Sequence, residues 1–241
     1  MEAIVLSRRD FREGDQVVSF YTKEVGKLEL VARGLKKIVS KNSAHLEPFS
    51  IVDIEVVAGK QFDYVTKVQA VEYFSGVRQD LTKSLVAQFS VNLSDRVLKV
   101  GEADERFFWF IKNWLELLSV LENVEPVFLD SFVLKLFSLL GFHPELKNCV
   151  VCGSTSDLNS FYFAGGGVIC DKCRTEKERV EEEVVDFTPD LNIGFGVLLS
   201  ADWDLVHRLD LTKKLHKLVY EYVIFHHEKE IADWGKLAQF G

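Results

Sequence analysis

Asp15-Gln16-Val17-Val18-Ser19-Phe20-Tyr21-Thr22-Lys23-Glu24-Val25-Gly26-Lys27-Leu28-Glu29-Leu30-Val31-Ala32-Arg33 decides how the N-terminal part of this chain folds. Val17, Ser19 and Tyr21 alternate with Val18, Phe20 and Thr22, the period-two pattern of a half-buried strand. Glu24-Val25-Gly26-Lys27 is a turn signal and the alternation resumes at Leu28, so 15–33 reads as a hairpin. Strand-like runs flank it: Ala3–Ser7 before, then Phe49–Val57, ended by Ala58-Gly59-Lys60, and Tyr64–Phe74. Five short strands suit a small antiparallel barrel, and the five-stranded oligonucleotide-binding (OB) barrel fits that count.

The pattern changes at Ser75-Gly76. Apolar residues then recur at helical spacing, predicting helices near 80–100, 103–122 and 126–140. Phe107–Phe110 with Trp114, Leu115, Leu117 and Leu118 is apolar nearly all round, as in a helix buried within a bundle. Gly141 stops the third helix, with Pro144 just beyond. After a cysteine segment, Arg174–Asp186 carries six acids against three bases and reads as a solvated helix or linker. Thr188-Pro189 opens another helix, and Leu211–Ile231 reads as one long final helix. The expected class is α+β: an N-terminal five-stranded OB barrel over 1–76, then an α-helical domain over 77–148 that resumes at 187–241. Inserted in that domain is a four-cysteine zinc ribbon with a charged linker, over 149–186.

With 241 residues, 47% hydrophobic and only four prolines, most of the chain can be buried in cores, which argues against long disordered tails. The formal charge of -8 excludes a wholly basic surface but leaves room for a local basic patch. The opening MEAIVLSRRD lacks the layout of a signal peptide. The most apolar run, Phe107–Leu121, is broken by Lys112, Asn113 and Glu116 and falls short of the ~20 residues a bilayer requires. A cytoplasmic protein with no membrane partner is expected.

All four cysteines lie in two pairs, Cys149-x2-Cys152 and Cys170-x2-Cys173. Two residues between paired cysteines let both thiolates point into one tetrahedron, and a second pair completes the shell when a hairpin brings it back. Phe161-Tyr162-Phe163, the turn Ala164-Gly165-Gly166-Gly167 and the return Val168-Ile169 supply such a hairpin. The spacing therefore predicts one structural zinc ion per chain on Cys149, Cys152, Cys170 and Cys173. Two matched pairs argue against a redox dithiol, and four protein ligands leave no open position for catalysis.

No enzyme motif emerges. There is no phosphate-cradling Gly-x4-Gly-Lys loop and no Gly-x-Ser-x-Gly elbow. Gly194-Phe195-Gly196 lacks a third glycine. His227-Glu228 has Ile231 where a zinc-protease helix needs its second histidine, and reads as an exposed polar face of the last helix.

The remaining signal is the loop from Arg33 to Lys41, with Arg33, Lys36, Lys37 and Lys41 and no acid, at the rim of the expected barrel. Barrels of this kind bind single strands by pairing basic loops with stacking aromatics. Phe20, Tyr21, Phe49, Phe62 and Tyr64 are the nearby aromatics, and alternation must send some of them into the core. A plain solvated connection is the other reading of the loop.

Together these pieces resemble the RecO family of DNA repair and recombination mediators. The resemblance rests on Ser19–Lys27, on Val31-Ala32-Arg33-Gly34 with its basic continuation, on Leu46-Glu47-Pro48-Phe49, and on Phe132–Cys152 with its Gly-Phe-x-Pro bend. It implies a nucleoid-associated, non-enzymatic protein that binds single- and double-stranded DNA through Arg33, Lys36, Lys37 and Lys41 and anneals complementary strands. It further implies work with RecR to load recombinase on DNA coated by the single-stranded DNA-binding protein, and so an indirect link to the RecA filament. The acidic balance of the chain supports a different reading, a non-catalytic protein-interaction adaptor with little DNA affinity of its own.

Overall fold

The computed structural model describes every residue except 37–43, 178–183, 201, 210–212, 228–230 and 240–241. The chain divides into two units, Met1–Val124 and Glu125–Gly241.

In the first unit β1 (Glu2–Arg12), β2 (Asp15–Thr22), β3 (Gly26–Ala32), β4 (Ile51–Val57) and β5 (Tyr64–Glu72) close into a barrel in the order β1-β2-β3-β5-β4. The β3–β5 contact is parallel, with Val31 opposite Tyr64, and β1 closes the ring on β4 with Ala3 opposite Val52. This is an OB-type barrel. Its core gathers Val5, Val18, Phe20, Leu30, Val52 and Ile54, joined by Leu35 and Leu46 from the chain between β3 and β4.

Two strands differ from the sequence expectation. β1 runs past Ser7 to Arg12, because its pairing with β2 shifts register between Val5 and Ser7 and again between Asp10 and Arg12. Such irregularities let the polar run Arg8-Arg9-Asp10 keep backbone pairing without apolar alternation. β2 is buried on both faces from Val17 to Thr22 rather than on one. Helices α2 (Leu81–Val97) and α3 (Glu105–Val120), which follow the single turn α1 (Ser75–Arg78), pack on the outside of β1 and β2. Asp80 and Asp104 cap them, accepting from Lys83 N and Arg106 N.

The outer face of β2 is polar where it meets α2. Asp95 accepts from Ser7 Oγ at 2.6 Å and Ser19 Oγ at 2.5 Å, and pairs with Lys27 Nζ at 2.9 Å. Burial opposes ionisation of Asp95, yet these hydrogen bonds from Ser19, Ser7 and Lys27 hold its carboxyl below the usual range. Lys27, only 8% exposed, also donates to the carbonyls of Asp95 and Leu98 at the end of α2. Gly26 beside it has φ +73°, and a Cβ there would stand 2.1 Å from the Glu102 carbonyl oxygen. The turn motif Val25-Gly26-Lys27 is thus a docking device for the helices.

The second unit is built around α4 (Pro126–Leu139), whose residues Val127–Phe137 are all buried. Proline at its first turn is pre-set for helix and lacks an N–H that would go unbonded there. Around it lie α6 (Pro189–Leu199), α7 (Trp203–His207) and α8 (Lys213–His226), after β6 (Ser160–Tyr162), β7 (Gly167–Ile169), α5 (Asp171–Lys177) and β8 (Val184–Asp186). Thr188 caps α6, accepting from Leu191 N. Among the described residues no helix is long and apolar enough to cross a membrane.

Three expectations change here. The charged stretch 174–186 begins inside α5 and ends as β8, where Val184 and Val185 pair with Tyr162 and Phe161. The last helix stops at His226 rather than Ile231. Beyond the helix Ile231 and Trp234 are buried, and Tyr220 Oη donates to the Ile231 carbonyl at 3.1 Å. His227, read as an exposed polar face, lies edge-on to Phe137 at 5.9 Å between ring centroids; Glu228 lies outside the described residues.

A polar clamp fastens Trp234 to α4. Asp130 is fully buried; its Oδ1 accepts from Trp234 Nε1 at 2.6 Å and lies 2.8 Å from His216 Nδ1. His216 Nε2 meets Asp233 Oδ1 at 3.0 Å. Asp130 first, and Asp233 with it, raise His216 to about 9 against the opposing effect of burial.

Candidate metal centre and nucleic-acid interface

The four cysteine sulfurs lie within 4.8 Å of one another. Cys149, Cys170 and Cys173 are buried and Cys152 is exposed. The first pair sits on a tight turn in which Gly153, at φ +76°, donates to Cys149 O at 2.8 Å, while Cys149 N donates to Ser154 O at 2.7 Å. The second pair is placed differently: Cys170 follows β7 and Cys173 stands in the first turn of α5. The β6–β7 hairpin supplies the return, closed by Gly166 N on Phe163 O at 2.9 Å. Before the first pair, the Glu145 carboxylate accepts from Lys147 N at 2.7 Å and Asn148 N at 3.0 Å, which sets the approach to Cys149.

The donor set fits a tetrahedral metal. Cys152 Sγ and Cys170 Sγ are 3.7 Å apart, far beyond the ~2.05 Å of a disulfide. A Zn–S bond of about 2.3 Å in a regular tetrahedron puts sulfurs about 3.8 Å apart. Burial works against a Cys149 thiolate, yet backbone groups of Cys170, Cys152 and Val151 directed at its sulfur bring it down to about 6. Burial among three other sulfurs pushes Cys173 up. Four clustered sulfurs of this kind are matched by a cation that neutralises them together.

At the barrel rim, Arg33 is exposed and its guanidinium lies over the Tyr64 ring, 4.1 Å from the centroid. Lys36 is exposed too, with Nζ 2.5 Å from Asp10 Oδ2. Leu35 between them is buried in the barrel core, and Gly34 N donates to Asp15 Oδ1 at 2.8 Å, so this part of the loop is anchored. Lys37 and Lys41 lie outside the described residues.

The five aromatics separate cleanly. Phe20 and Tyr21 are buried, and Phe49 is buried with the Arg78 guanidinium 4.0 Å above its ring. Phe62 and Tyr64 reach the rim. Sequence reading passed over Phe11 and Arg12: Phe11 meets Phe62 edge-on at 5.0 Å, and Arg12 lies 4.9 Å over the Phe11 ring. The interleaved run Arg8-Arg9-Asp10-Phe11-Arg12 carried that signal, since an aromatic residue stands among bases in it.

An OB-type barrel followed by helices and a four-cysteine ribbon defines an α+β protein of the barrel-and-ribbon class. Residues 1–74 match the family model Recombination protein O N terminal, and residues 78–231 match Recombination protein O C terminal. The DNA repair protein RecO of Thermoanaerobacter sp. (strain X514) is 32% identical over 175 residues, 73% of this chain and 71% of that protein. The DNA repair protein RecO of Caldanaerobacter subterraneus subsp. tengcongensis is 28% identical over 236 residues, 95% of this chain and 93% of that protein. That of Cutibacterium acnes is 30% identical over 209 residues, covering 84% and 82%. The chain belongs to the RecO family. The curated relatives of that family are named DNA repair proteins.

Proposed function

We propose that this protein is a recombination mediator that binds single- and double-stranded DNA at the barrel rim and anneals complementary strands. In this reading Arg33, Lys36, Lys37 and Lys41 neutralise phosphates. The protein then acts with RecR, on DNA covered by single-stranded DNA-binding protein, to help load the RecA recombinase. The observation that carries the reading is Arg33 spread over Tyr64 at the rim of an OB-type barrel, with exposed Lys36 three residues on. Cys149, Cys152, Cys170 and Cys173 would hold one zinc ion, whose contribution is structural: it fastens a segment too small to fold on its own core.

The test is anisotropy titration of labelled single strands and duplexes at several salt concentrations. If all four bases touch phosphates, single-strand affinity falls with salt at a log–log slope of roughly -3, about 0.7 per contact. Arg33→Glu with Lys36→Glu should flatten that slope and weaken binding to every sequence and to both forms of DNA. Unchanged affinity in the double variant would remove the rim from the interface.

One observation favours the adaptor reading: Asp10 already engages Lys36, in a chain of formal charge -8. Under that reading, wild-type protein binds neither DNA form at moderate salt.

A further inference from the structure

The four members of the cysteine cluster are not equivalent. Cys149, Cys170 and Cys173 are 3%, 5% and 4% exposed, whereas Cys152 stands in an exposed run with Val151 and Gly153. Local packing explains the difference. Val150 N donates to Val168 O at 2.9 Å, which fastens the chain beside Cys149 to β7. A Cβ on Gly165 or Gly167 would stand 2.9 or 2.8 Å from the Val150 side chain, so these glycines let the hairpin close on Val150. Past that anchor the turn leads outward: Val151 is 45% exposed, and Gly153 brings the chain back by donating to Cys149 O. Cys152 is thus the open member of an otherwise buried cluster, and its sulfur lies 3.7 Å from Cys170 Sγ.

We propose that Cys152 is the site at which hydrogen peroxide oxidises this cluster, and that a disulfide from Cys152 to Cys170 then opens the ribbon. The proposal rests on the zinc reading above and deepens it. Sulfurs that hold zinc are thiolates, the form that reacts with peroxide. Among thiolates, exposure decides which is oxidised. The Cys152 sulfur attacks one peroxide oxygen; the O–O bond breaks, hydroxide leaves, and Cys152 becomes a sulfenic acid. The Cys170 sulfur attacks the Cys152 sulfur in turn; the S–S bond forms, the S–O bond breaks, and a second hydroxide leaves. Two electrons have then passed from the two sulfurs to the peroxide, and solvent protons turn both hydroxides into water. Cys149 and Cys173 alone cannot complete a tetrahedral shell, so the ribbon loses the centre on which its small core is built.

The chain has four cysteines, all in this cluster, so thiol chemistry reads this site alone. The full chain, reduced and with its metal content measured first, is treated with hydrogen peroxide. A sulfenic-acid trap followed by peptide mass spectrometry should find Cys152 labelled roughly tenfold ahead of the other three. Without the trap, a chromogenic chelator should record zinc release in step with the Cys152–Cys170 disulfide, and a thiol reductant with added zinc should reverse both. Cys152→His keeps a metal-binding nitrogen at this position and should slow the peroxide-driven release roughly tenfold. Where that variant holds no metal, the labelling order in the wild type decides. Equal labelling of all four cysteines, first labelling at a buried one, or zinc release with Cys152 unmodified overturns the proposal. Absence of metal from the starting protein overturns the zinc reading instead, and the labelling order of the metal-free chain still shows whether Cys152 reacts first.

Discussion

The cysteine ribbon and the barrel hold their shapes by opposite means. The ribbon has a small core, Cys149, Tyr162, Ile169, Cys170 and Cys173, in which three of the five residues are cysteines of the four-sulfur cluster. The barrel buries a core drawn from every strand, then adds a charged clamp through Lys27 and Asp95. One region depends on a single local centre and the other on contacts spread across its length. Damage to them should therefore separate cleanly.

The largest effect expected is metal removal. Structural zinc in cysteine-rich modules contributes on the order of 10–16 kcal/mol. Chelation, or Cys149→Ser, should unfold the ribbon and leave standing the barrel and the DNA affinity proposed for it. Metal analysis of purified reduced protein and circular dichroism before and after chelation are the measurements. Loss of barrel structure together with the ribbon would end the contrast.

The complementary experiment is Lys27→Met. Removing one member of a mostly buried ion pair typically destabilises by about 3–5 kcal/mol, and here the carbonyls of Asp95 and Leu98 also lose their donor. Asp95 keeps its two serine partners, so about 3 kcal/mol is expected from urea unfolding, with metal content unchanged. A loss below about 1 kcal/mol would mean that the clamp only decorates the barrel.

A smaller effect sharpens the comparison inside the second unit. The folded His216 is raised to about 9 by Asp130 and Asp233, above the ordinary histidine value of 6.5. Its stabilisation is thus complete below about pH 6.5 and is lost as pH rises toward 9. Lys135 acts in the other direction: burial lowers it to about 8, so the penalty for charging it inside begins to lift only above that pH. Between about pH 6.5 and 8 the metal-loaded protein should lose about 2 kcal/mol, and His216→Asn should flatten that slope. A wild-type stability that stays level across this window would contradict the assigned role of His216.

What could be read in the sequence follows the same division. The cysteine cluster was legible because its members come in two short spacings and its hairpin is local. The hairpin at 15–33 was legible because alternation marks a strand regardless of its partner. β1 was cut short at Ser7, since bulged pairing carries a polar run that alternation cannot flag. The end of the last helix was misjudged because the burial of Ile231 and Trp234 rests on contacts with Tyr220 and Asp130 that no periodicity announces. Both polar clamps were invisible: Ser19 and Asp95 are 76 residues apart, and His216 and Asp130 are 86 apart. Only topology unites such pairs. The rim is intermediate, with Arg33 and Lys36 apparent as charges while Phe11 needed the fold to set it against Phe62.

The closed strand order has a consequence for self-association. The ring of five strands is closed by three β1–β4 pairs and a single β3–β5 pair, so only short seams seal it against another strand. In the three-stranded sheet β7-β6-β8 the β7 edge is covered, Val168 donating to Glu145 O and accepting from Val150 N, and the β8 edge is only three residues long. An edge that short gives a poor template. Stripped of the cysteine cluster that holds it, the ribbon becomes a place where copies of this protein would pair through β8, with the barrel carried along intact.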